Sequence, residues 1–116
     1  MLAAKNKLHN LTALIDRNNI QIDGFTEDIM PLEPLDEKYR SFGWHVIEID
    51  GHNFEQILNA LDKATQTKGM PTFIAARTVK GKGVSFMADK IEWHGVAPTK
   101  EEGDKAIQEL ELALKS

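Results

Sequence analysis

The chain has 116 residues, of which 41% are apolar and 28% charged, and its formal net charge at pH 7 is -4. This composition is that of at most one soluble globular domain, and the acidic balance argues against a nucleic-acid partner, which would need clustered Lys and Arg. The lack of cysteine excludes disulfides, thiolate catalysis and cysteine-ligated zinc. No apolar stretch approaches the roughly 20 residues of a membrane span and the N-terminus is not that of a signal peptide, so we expect a cytoplasmic protein with no membrane partner.

The first half of the chain predicts a helix end, a strand and a short helix. Residues 2–9 have the composition of the tail of a helix, and the apolar run over residues 11–16 has no helical period, which is typical of a buried parallel strand. Residues 18–34 form a long connection, and connections of this length in compact domains are usually functional or disordered. A helix is predicted over residues 35–42, ending at Gly43.

The second half alternates strands and helices. Strands are predicted over residues 44–50 and 72–76. The intervening helix is capped by Asn53, with Gln56 as a variant capping box, and its apolar stripe consists of Phe54, Ile57, Leu58, Leu61 and Ala64. Thr99 and Glu102 open a final helix, whose inward-facing residues are predicted to be Ile107, Leu110 and Leu114.

This order predicts an α/β fold, with a partial parallel sheet of about three strands and flanking helices in an incomplete Rossmann-like domain. Three strands are few for an independent α/β domain. We therefore expect an apolar face around the first two strands to be covered by another chain or a second copy.

The segment from residue 11 to Gly24 carries the strongest chemical signal. Ligands of open α/β sheets bind beyond the carboxyl ends of the strands, where Asp16, Asn18 and the carbonyl of Ile20 would project. Such oxygen atoms suit a hard divalent cation. Taken alone, Asp-x-Asn more often marks an ordinary strand end, because Asp and Asn start turns.

Two later segments also carry candidate residues. The strand over residues 72–76 leads into Lys80-Gly-Lys-Gly, in which glycine backbone and lysine charge suit an anionic ligand, although such a sequence is commonly a solvated turn. His94 lies in Trp-His-Gly-Val-Ala-Pro. A lone histidine beside tryptophan more often packs than catalyses, but a histidine is suited to moving protons near neutral pH.

Together, Asp-x-Asn-x-Ile-x-Ile-Asp-Gly, Gly-x-Gly and Trp-His-Gly, in this order, resemble the thiamine-diphosphate-binding domain of transketolases. The resemblance implies that Asn18 and the Ile20 carbonyl ligate Mg²⁺ (or Ca²⁺), and that Ile22 packs against thiamine diphosphate. It implies that Lys80 and His94 contact the diphosphate, and that His94 is the catalytic residue near the reacting carbonyl.

The resemblance implies that residues 1–116 are the C-terminal half of such a domain. Members of the family transfer a two-carbon ketol unit between sugar phosphates. The Gly-Asp-Gly half of the family motif is missing, since the first glycine is Gly24. We therefore expect complementary transketolase chains in an oligomer to supply that half and the pyrimidine domain, and we expect the isolated chain to be inactive.

A different class of function stays open from the residues alone. A non-catalytic binding or assembly module with a flavodoxin-like or receiver-like sheet would also place acidic residues at strand ends, where Asp16 and Asp50 lie. Binding of thiamine diphosphate and magnesium discriminates between the two interpretations.

Overall fold

The structure is a computed structural model that describes residues 1–115, so that Ser116, the last residue of the predicted domain, lies outside the described part. The chain divides into two compact units. The sheet unit consists of Met1–Arg17 and Leu32–Thr78, and the loop unit consists of Asn18–Pro31 and the chain from Val79 onward.

The elements in chain order are α1 (Leu2–Lys5), β1 (Thr12–Arg17), β2 (Ile20–Gln21), β3 (Gly24–Phe25), α2 (Thr26–Ile29), α3 (Leu35–Ser41), β4 (His45–Asp50), α4 (Phe54–Gln66), β5 (Thr72–Arg77), a 3-10 turn (Ile91–Trp93) and α5 (Lys100–Ala113). The predicted α/β class and its three main strands are confirmed, with shifts of one residue at their ends. The first helix is shorter than predicted, because Lys7 has a φ of 51°, which is incompatible with a continuing right-handed helix.

The sheet of the sheet unit is parallel, with the strand order β1-β5-β4. The central strand β5 is buried from Thr72 to Ala76, as expected for a strand paired on both edges and covered on both faces. Strand β1 alternates between exposed and covered residues along most of its length. The sheet is therefore well covered at its centre and open at the β1 edge.

Helix α4 covers one face of the sheet through small residues. Ala60 packs with Ile49, Ile74 and Ala76 in the buried core. The Asn53 side chain accepts a hydrogen bond from the Gln56 N–H at 3.1 Å, so the predicted cap is confirmed. The second half of the predicted capping box is wrong, because the Gln56 side chain instead accepts from the N–H of Asp50 at 2.8 Å. The predicted apolar stripe is covered only in part, and three of its members are exposed, namely Phe54, Leu58 and Leu61.

Helix α3 covers the opposite face of the sheet with aromatic side chains. The ring of Tyr39 stacks on Phe73 with a centroid distance of 3.5 Å and an interplanar angle of 5°. Trp44 meets Tyr39 edge-on at 5.6 Å. Because successive residues of a strand point to opposite faces, Phe73 and the buried Ile74 bring α3 and α4 to opposite sides of β5.

The loop unit contains the β2–β3 hairpin, α2, a series of turns and α5. The capping box of α5 is confirmed, since Glu102 N–H donates to Thr99 Oγ1 at 3.3 Å and Thr99 N–H donates to Glu102 Oε2 at 2.8 Å. The prediction of its inward face is wrong. Ala106 is buried, whereas the three predicted residues, Ile107, Leu110 and Leu114, are exposed in this chain. Periodicity defines a stripe on a helix but not what covers it.

Within residues 1–115, no helix is both long enough and apolar enough to cross a membrane.

Candidate functional site

The carboxyl ends of β1 and β5 are held together by polar contacts. The Asp16 carboxylate accepts a hydrogen bond from the Thr78 hydroxyl, and the Thr78 N–H donates to the Arg17 carbonyl at 3.3 Å. The backbone of Gly51, which follows β4, approaches the same strand end. A Cβ at Gly51 would lie 2.5 Å from Thr78 Cγ2, so only glycine fits there without a shift. Asp16, predicted to project into a site, therefore has Thr78 as its partner.

A second group of charged residues lies at the same end of the sheet, and we call it the Glu33 cluster: Arg17, Glu33, Glu48 and Arg77. Arg17 is only 3% exposed, and its Nη2 lies 3.2 Å from Glu33 Oε1. Arg77 Nη1 lies 3.0 Å from the same oxygen, and Arg77 Nη2 lies 3.3 Å from Glu48 Oε2. Glu33 thus contacts two arginines that are register partners on adjacent strands, and Glu33 and Glu48 together balance their two positive charges.

The carboxylate of Glu33 is held in its charged form. The N–H of Leu35 donates to Glu33 Oε2 at 3.0 Å, and this bond is the largest contribution that lowers the pKa of Glu33 below its ordinary value. Partial burial opposes it, and the charges of Arg77 and Arg17 add to the lowering. Sequence reasoning missed this cluster. The available signal was Arg17 at the end of an apolar strand, since a buried arginine needs an acidic partner.

Asn18 is half-buried and directly follows β1. Its side-chain oxygen accepts a hydrogen bond from the N–H of Ile20 at 3.0 Å. This contact is an Asx turn, which orients the amide of the side chain. The intervening Asn19 has a φ of 65°, a conformation that asparagine tolerates better than most residues.

The backbone of Ile20 points away from the hairpin ladder. Ile20 pairs with Phe25, and the Thr26 N–H donates to the Asn19 carbonyl at 2.8 Å. Hydrogen-bonded and non-hydrogen-bonded pairs alternate in an antiparallel ladder, so the Ile20–Phe25 pair is of the non-hydrogen-bonded kind. The Ile20 carbonyl is therefore directed away from β3.

Ile22 has an unusual backbone conformation. It is the first of the two residues that join β2 to β3, its φ is 47°, and it is 59% exposed. Positive φ is a genuine outlier for a β-branched residue and costs of order 1–3 kcal/mol. Glycine is the usual residue at this position of a two-residue hairpin turn. The strained backbone of Ile22 thus presents an aliphatic side chain outward.

Lys80 begins a tight series of turns. It is half-buried, and its carbonyl accepts from the N–H of Asp89 at 2.9 Å. Gly81 has a φ of 71°, and a Cβ there would lie 2.7 Å from the Met87 carbonyl oxygen. The segment is joined to α5, because Glu109 Oε2 accepts from the Ser85 N–H at 2.6 Å. The glycine is therefore required by the turn itself.

His94 is exposed and follows the 3-10 turn. Its N–H donates to the Ile91 carbonyl at 2.9 Å. The neighbouring Trp93 is fixed, because its Nε1–H donates to the Phe86 carbonyl at 3.0 Å and the two rings lie 5.7 Å apart. Packing of Trp93 thus anchors the backbone on which His94 is exposed.

The structure brings all five predicted site residues into one compact unit, the loop unit: Asn18, Ile20, Ile22, Lys80 and His94. Asp16 belongs to the sheet unit. Among residues 1–115, no group of three or more His, Cys, Asp or Glu side chains could hold a metal ion. The predicted donors are of another kind, an amide oxygen and a backbone carbonyl oxygen.

The fold and the arrangement of these residues define a parallel α/β domain with polar groups at the carboxyl ends of its strands. The family model for "Transketolase, thiamine diphosphate binding domain" matches residues 1–113, and the chain belongs to this family. The predicted family is thereby confirmed, and thiamine diphosphate is the cofactor that the family description names.

Three similar proteins place the chain within the family. A 6-deoxy-6-sulfo-D-fructose transketolase subunit from Clostridium sp. (strain MSTE9) is 46% identical over 111 residues, which cover 96% of this chain. One of the subunits of an apulose-4-phosphate transketolase from Phocaeicola vulgatus is 39% identical over 95% of this chain. The crystal structure of transketolase from Campylobacter jejuni matches 95% of this chain with a TM-score of 0.87 and 30% identity.

The chain spans 40% and 39% of the lengths of the two relatives and 17% of the Campylobacter jejuni chain.

Proposed function

We propose that this chain is a component of a transketolase, which transfers a two-carbon ketol unit between sugar phosphates with thiamine diphosphate and a divalent metal. The observation that carries the proposal is the geometry after β1. There, the Asn18 side chain is oriented by the Ile20 N–H at 3.0 Å, and the Ile20 carbonyl is directed away from the hairpin. These two oxygens follow the carboxyl end of a parallel strand, where open α/β sheets bind ligands.

The residues fit a hard divalent cation. An amide oxygen carries two lone pairs, so Asn18 Oδ1 can accept the Ile20 N–H and still ligate a metal. Mg²⁺ and Ca²⁺ prefer such oxygen donors. Asn18 and Ile20 would supply two donors, and the remaining ones would come from the diphosphate, from water and from a carboxylate outside this chain.

Three further residues would hold the cofactor. Lys80 would add a positive charge beside the diphosphate, on a glycine-containing turn that lets backbone approach the phosphate oxygens closely. Ile22 would pack against the thiamine, and its outward side chain on strained backbone supports that role, since such strain clusters at ligand sites. When bound, thiamine diphosphate supplies the electron sink of the reaction. His94 would bind the diphosphate and hold or move a proton at a substrate oxygen.

The β1 edge supports the proposal that another polypeptide completes the domain. β1 pairs on one side with β5, and an uncovered strand edge is a template for a further strand. Leu14, Ile74 and Ile47 form one row across the sheet, on the face that α4 covers. Ile74 is fully buried, whereas Leu14 is 56% exposed. The cover therefore ends before the β1 edge.

A cleft beside α4 is large enough to hold several side chains of such a polypeptide. It has a volume of about 390 Å³ and is lined by residues of β1, of the segment before it and of α4, including Thr12, Leu61 and Ala64. We propose that a complementary transketolase polypeptide pairs a strand with β1, fills this cleft, and supplies the Gly-Asp-Gly half of the metal site. A further part would supply the pyrimidine domain. Two similar proteins are named as transketolase subunits, which supports this proposal.

A metal site with only part of its donors binds weakly, so the isolated chain is proposed to be inactive. Titration calorimetry with thiamine diphosphate and Mg²⁺, on the chain alone and with a Gly-Asp-Gly-bearing polypeptide, tests this. Binding only in the second case is expected, together with turnover in a coupled ketol-transfer assay. Turnover by the chain alone contradicts the inactivity, and no binding in either case favours the non-catalytic module. The same ketol-transfer assay, run with different acceptor sugars, identifies the acceptor. The cytoplasmic location stays a prediction.

A further inference from the structure

The chain passes between its two units at three points. It leaves the sheet unit after Arg17, returns at Leu32, and leaves again after Thr78. The proposed ligand segments begin directly beyond these points, because Asn18 follows Arg17 and Lys80 lies two residues beyond Thr78. The spacing of the three points on the sheet unit therefore sets where the ligand-bearing segments start and end.

Side chains of the sheet unit tie these three points to one another. Glu33, next to the point of return, accepts from Arg17 Nε at 3.3 Å and from Arg77 Nη1 at 3.0 Å through the same Oε1. Asp16 accepts from Thr78. Glu33 follows residues 18–31 closely and contacts Arg17, which directly precedes them. It also contacts Arg77 at the end of β5, one residue before the chain leaves the sheet unit for the second time.

We propose that Glu33 is a positioning residue for the cofactor site: it fixes the two ends of residues 18–31, and the start of the Lys80 segment, in the arrangement that binding requires. This inference rests on the proposed function. Charge-assisted hydrogen bonds to a guanidinium are directional, so one carboxylate between two arginines fixes geometry that an apolar contact would leave free. Burying the charged Arg17 costs desolvation free energy that an apolar residue would not cost. The ion pair is therefore better explained by the geometry that it fixes than by a gain in stability.

The test is Glu33→Gln, which removes the charge and retains the shape of the side chain. The matched control is Glu37→Gln, the same change at an exposed residue of α3. In the enzyme assembled with its complementary polypeptide, we expect the thiamine diphosphate and Mg²⁺ concentrations for half-maximal activity to rise about tenfold, as for other residues that orient ligands. At saturating cofactor, kcat is expected to stay within about twofold, because Glu33 acts through binding geometry. Glu37→Gln is expected to match the wild type.

A second readout needs no activity. Hydrogen exchange in peptides covering residues 18–31 is expected to be faster in Glu33→Gln than in Glu37→Gln and the wild type. Should Glu33→Gln fail to fold, Arg77→Gln removes one of the two arginine contacts from a half-exposed position and is expected to change both readouts in the same direction, by less. Unchanged exchange and unchanged half-maximal concentrations in the folded variant overturn the proposal. If the wild-type assembly neither binds cofactor nor turns over, the proposed function fails, and the exchange experiment alone decides whether Glu33 fixes the segment.

Discussion

Leu14 and Ile74 are register partners on adjacent parallel strands and share one face of the sheet, yet Ile74 is fully buried and Leu14 is 56% exposed. The third member of their row, Ile47, packs against the core under α4. Helix α4 is thus wide enough to cover two strands but not the third. Exposed apolar surface beside an unpaired strand edge is typical of an interaction site.

This relationship predicts that Leu14→Asp impairs assembly without unfolding the chain. The side chain is half-exposed in the free chain, so the free energy of unfolding is expected to change by less than about 0.5–1 kcal/mol. If the proposed complementary polypeptide covers this face, a charge at Leu14 is expected to weaken assembly with it by about 100-fold or more, about 3 kcal/mol. Analytical ultracentrifugation measures this. Leu112→Asp, an exposed leucine of α5, is the control, and equal assembly of the two variants would show that Leu14 is outside the interface.

Asn18→Ala is expected to weaken metal-dependent cofactor binding. Loss of the side-chain oxygen removes the proposed metal donor and the bond to the Ile20 N–H. We expect a decrease in affinity of at least about tenfold, or about 1.4 kcal/mol, in calorimetry of the assembled enzyme. Asn18→Asp retains an oxygen and is expected to retain binding, and Asn59→Ala on exposed α4 surface serves as the control. Wild-type affinity in Asn18→Ala would remove this residue from the site.

Ile22→Gly is predicted to stabilise the chain and to weaken cofactor binding. Glycine adopts the φ of 47° without strain, and relief of that strain raises the free energy of unfolding by of order 1–3 kcal/mol. The greater conformational freedom of glycine in the unfolded chain lowers it by about 0.5–1 kcal/mol. A net stabilisation of about 1 kcal/mol is expected from urea unfolding. Ile22→Ala retains most of the backbone strain and loses the proposed apolar contact with the cofactor, so it is expected to weaken cofactor binding without stabilising the chain. If Ile22→Gly binds the cofactor as the wild type does, Ile22 has no packing role.

Gly81→Ala is expected to destabilise the loop unit more than Gly69→Ala destabilises the sheet unit. Both glycines have positive φ, 71° and 77°. A Cβ at Gly81 would lie 2.7 Å from the Met87 carbonyl, whereas a Cβ at Gly69 would have no heavy atom within 4 Å. Gly69→Ala reports the cost of the φ angle alone, about 1 kcal/mol. Gly81→Ala is expected to cost about 2–3 kcal/mol, measured by urea unfolding. Equal losses would mean that the turn around Met87 relaxes.

The pH dependence of stability follows from Glu33. Because its pKa is lower in the folded chain than the ordinary value of 4.5, the folded state binds fewer protons there. Its stabilisation is therefore fully present above pH 4.5 and is lost as the pH falls through the folded pKa. Glu33→Gln is expected to cost about 1 kcal/mol at pH 7, since solvent screens a side chain that is 36% exposed.

Urea unfolding between about pH 7 and about pH 3.5 measures this effect. The loss of stability on acidification is expected to be smaller in Glu33→Gln than in Glu37→Gln. A residual loss remains, because hydrogen bonds from the backbone N–H groups of Thr99 and Ser85 also lower the pKa values of Glu102 and Glu109. Identical slopes for both variants would mean that Glu33 has the same pKa in the folded and unfolded chain.

The sequence was sufficient for the three strands of the main sheet, for the N-cap residues of α4 and α5, and for the family. The strand before Asn18, the Asn53 cap and the Thr99–Glu102 capping box depend on local chemistry, and each forms as predicted. The prediction that this strand is buried is wrong, because β1 alternates between exposed and covered residues at an edge of the sheet. The motifs around Asn18, Gly81 and His94, taken together in their order, identified the family that residues 1–113 match. Such features are determined by neighbouring residues, whose types the sequence states directly.

Burial on the helices could not be predicted in the same way. The stripe of α4 and the predicted inward face of α5 have helical periodicity, but several of these residues, including Leu58 and Leu110, are exposed. Small residues, Ala60 and Ala106, make the buried contacts instead. Periodicity gives the direction of a stripe, whereas burial depends on which other elements lie opposite it.

The sequence by itself determined the α/β class, the alternation of strands and helices, and the polar and glycine residues that follow two strands, because these depend on residue type and local spacing. Only the tertiary structure decided the strand order, which sets β5 between β1 and β4. That order brings Arg17 beside Arg77, with Glu33 between them, 16 residues from one and 44 from the other along the chain. Contacts over such separations depend on how the whole chain packs, and no local pattern encodes them.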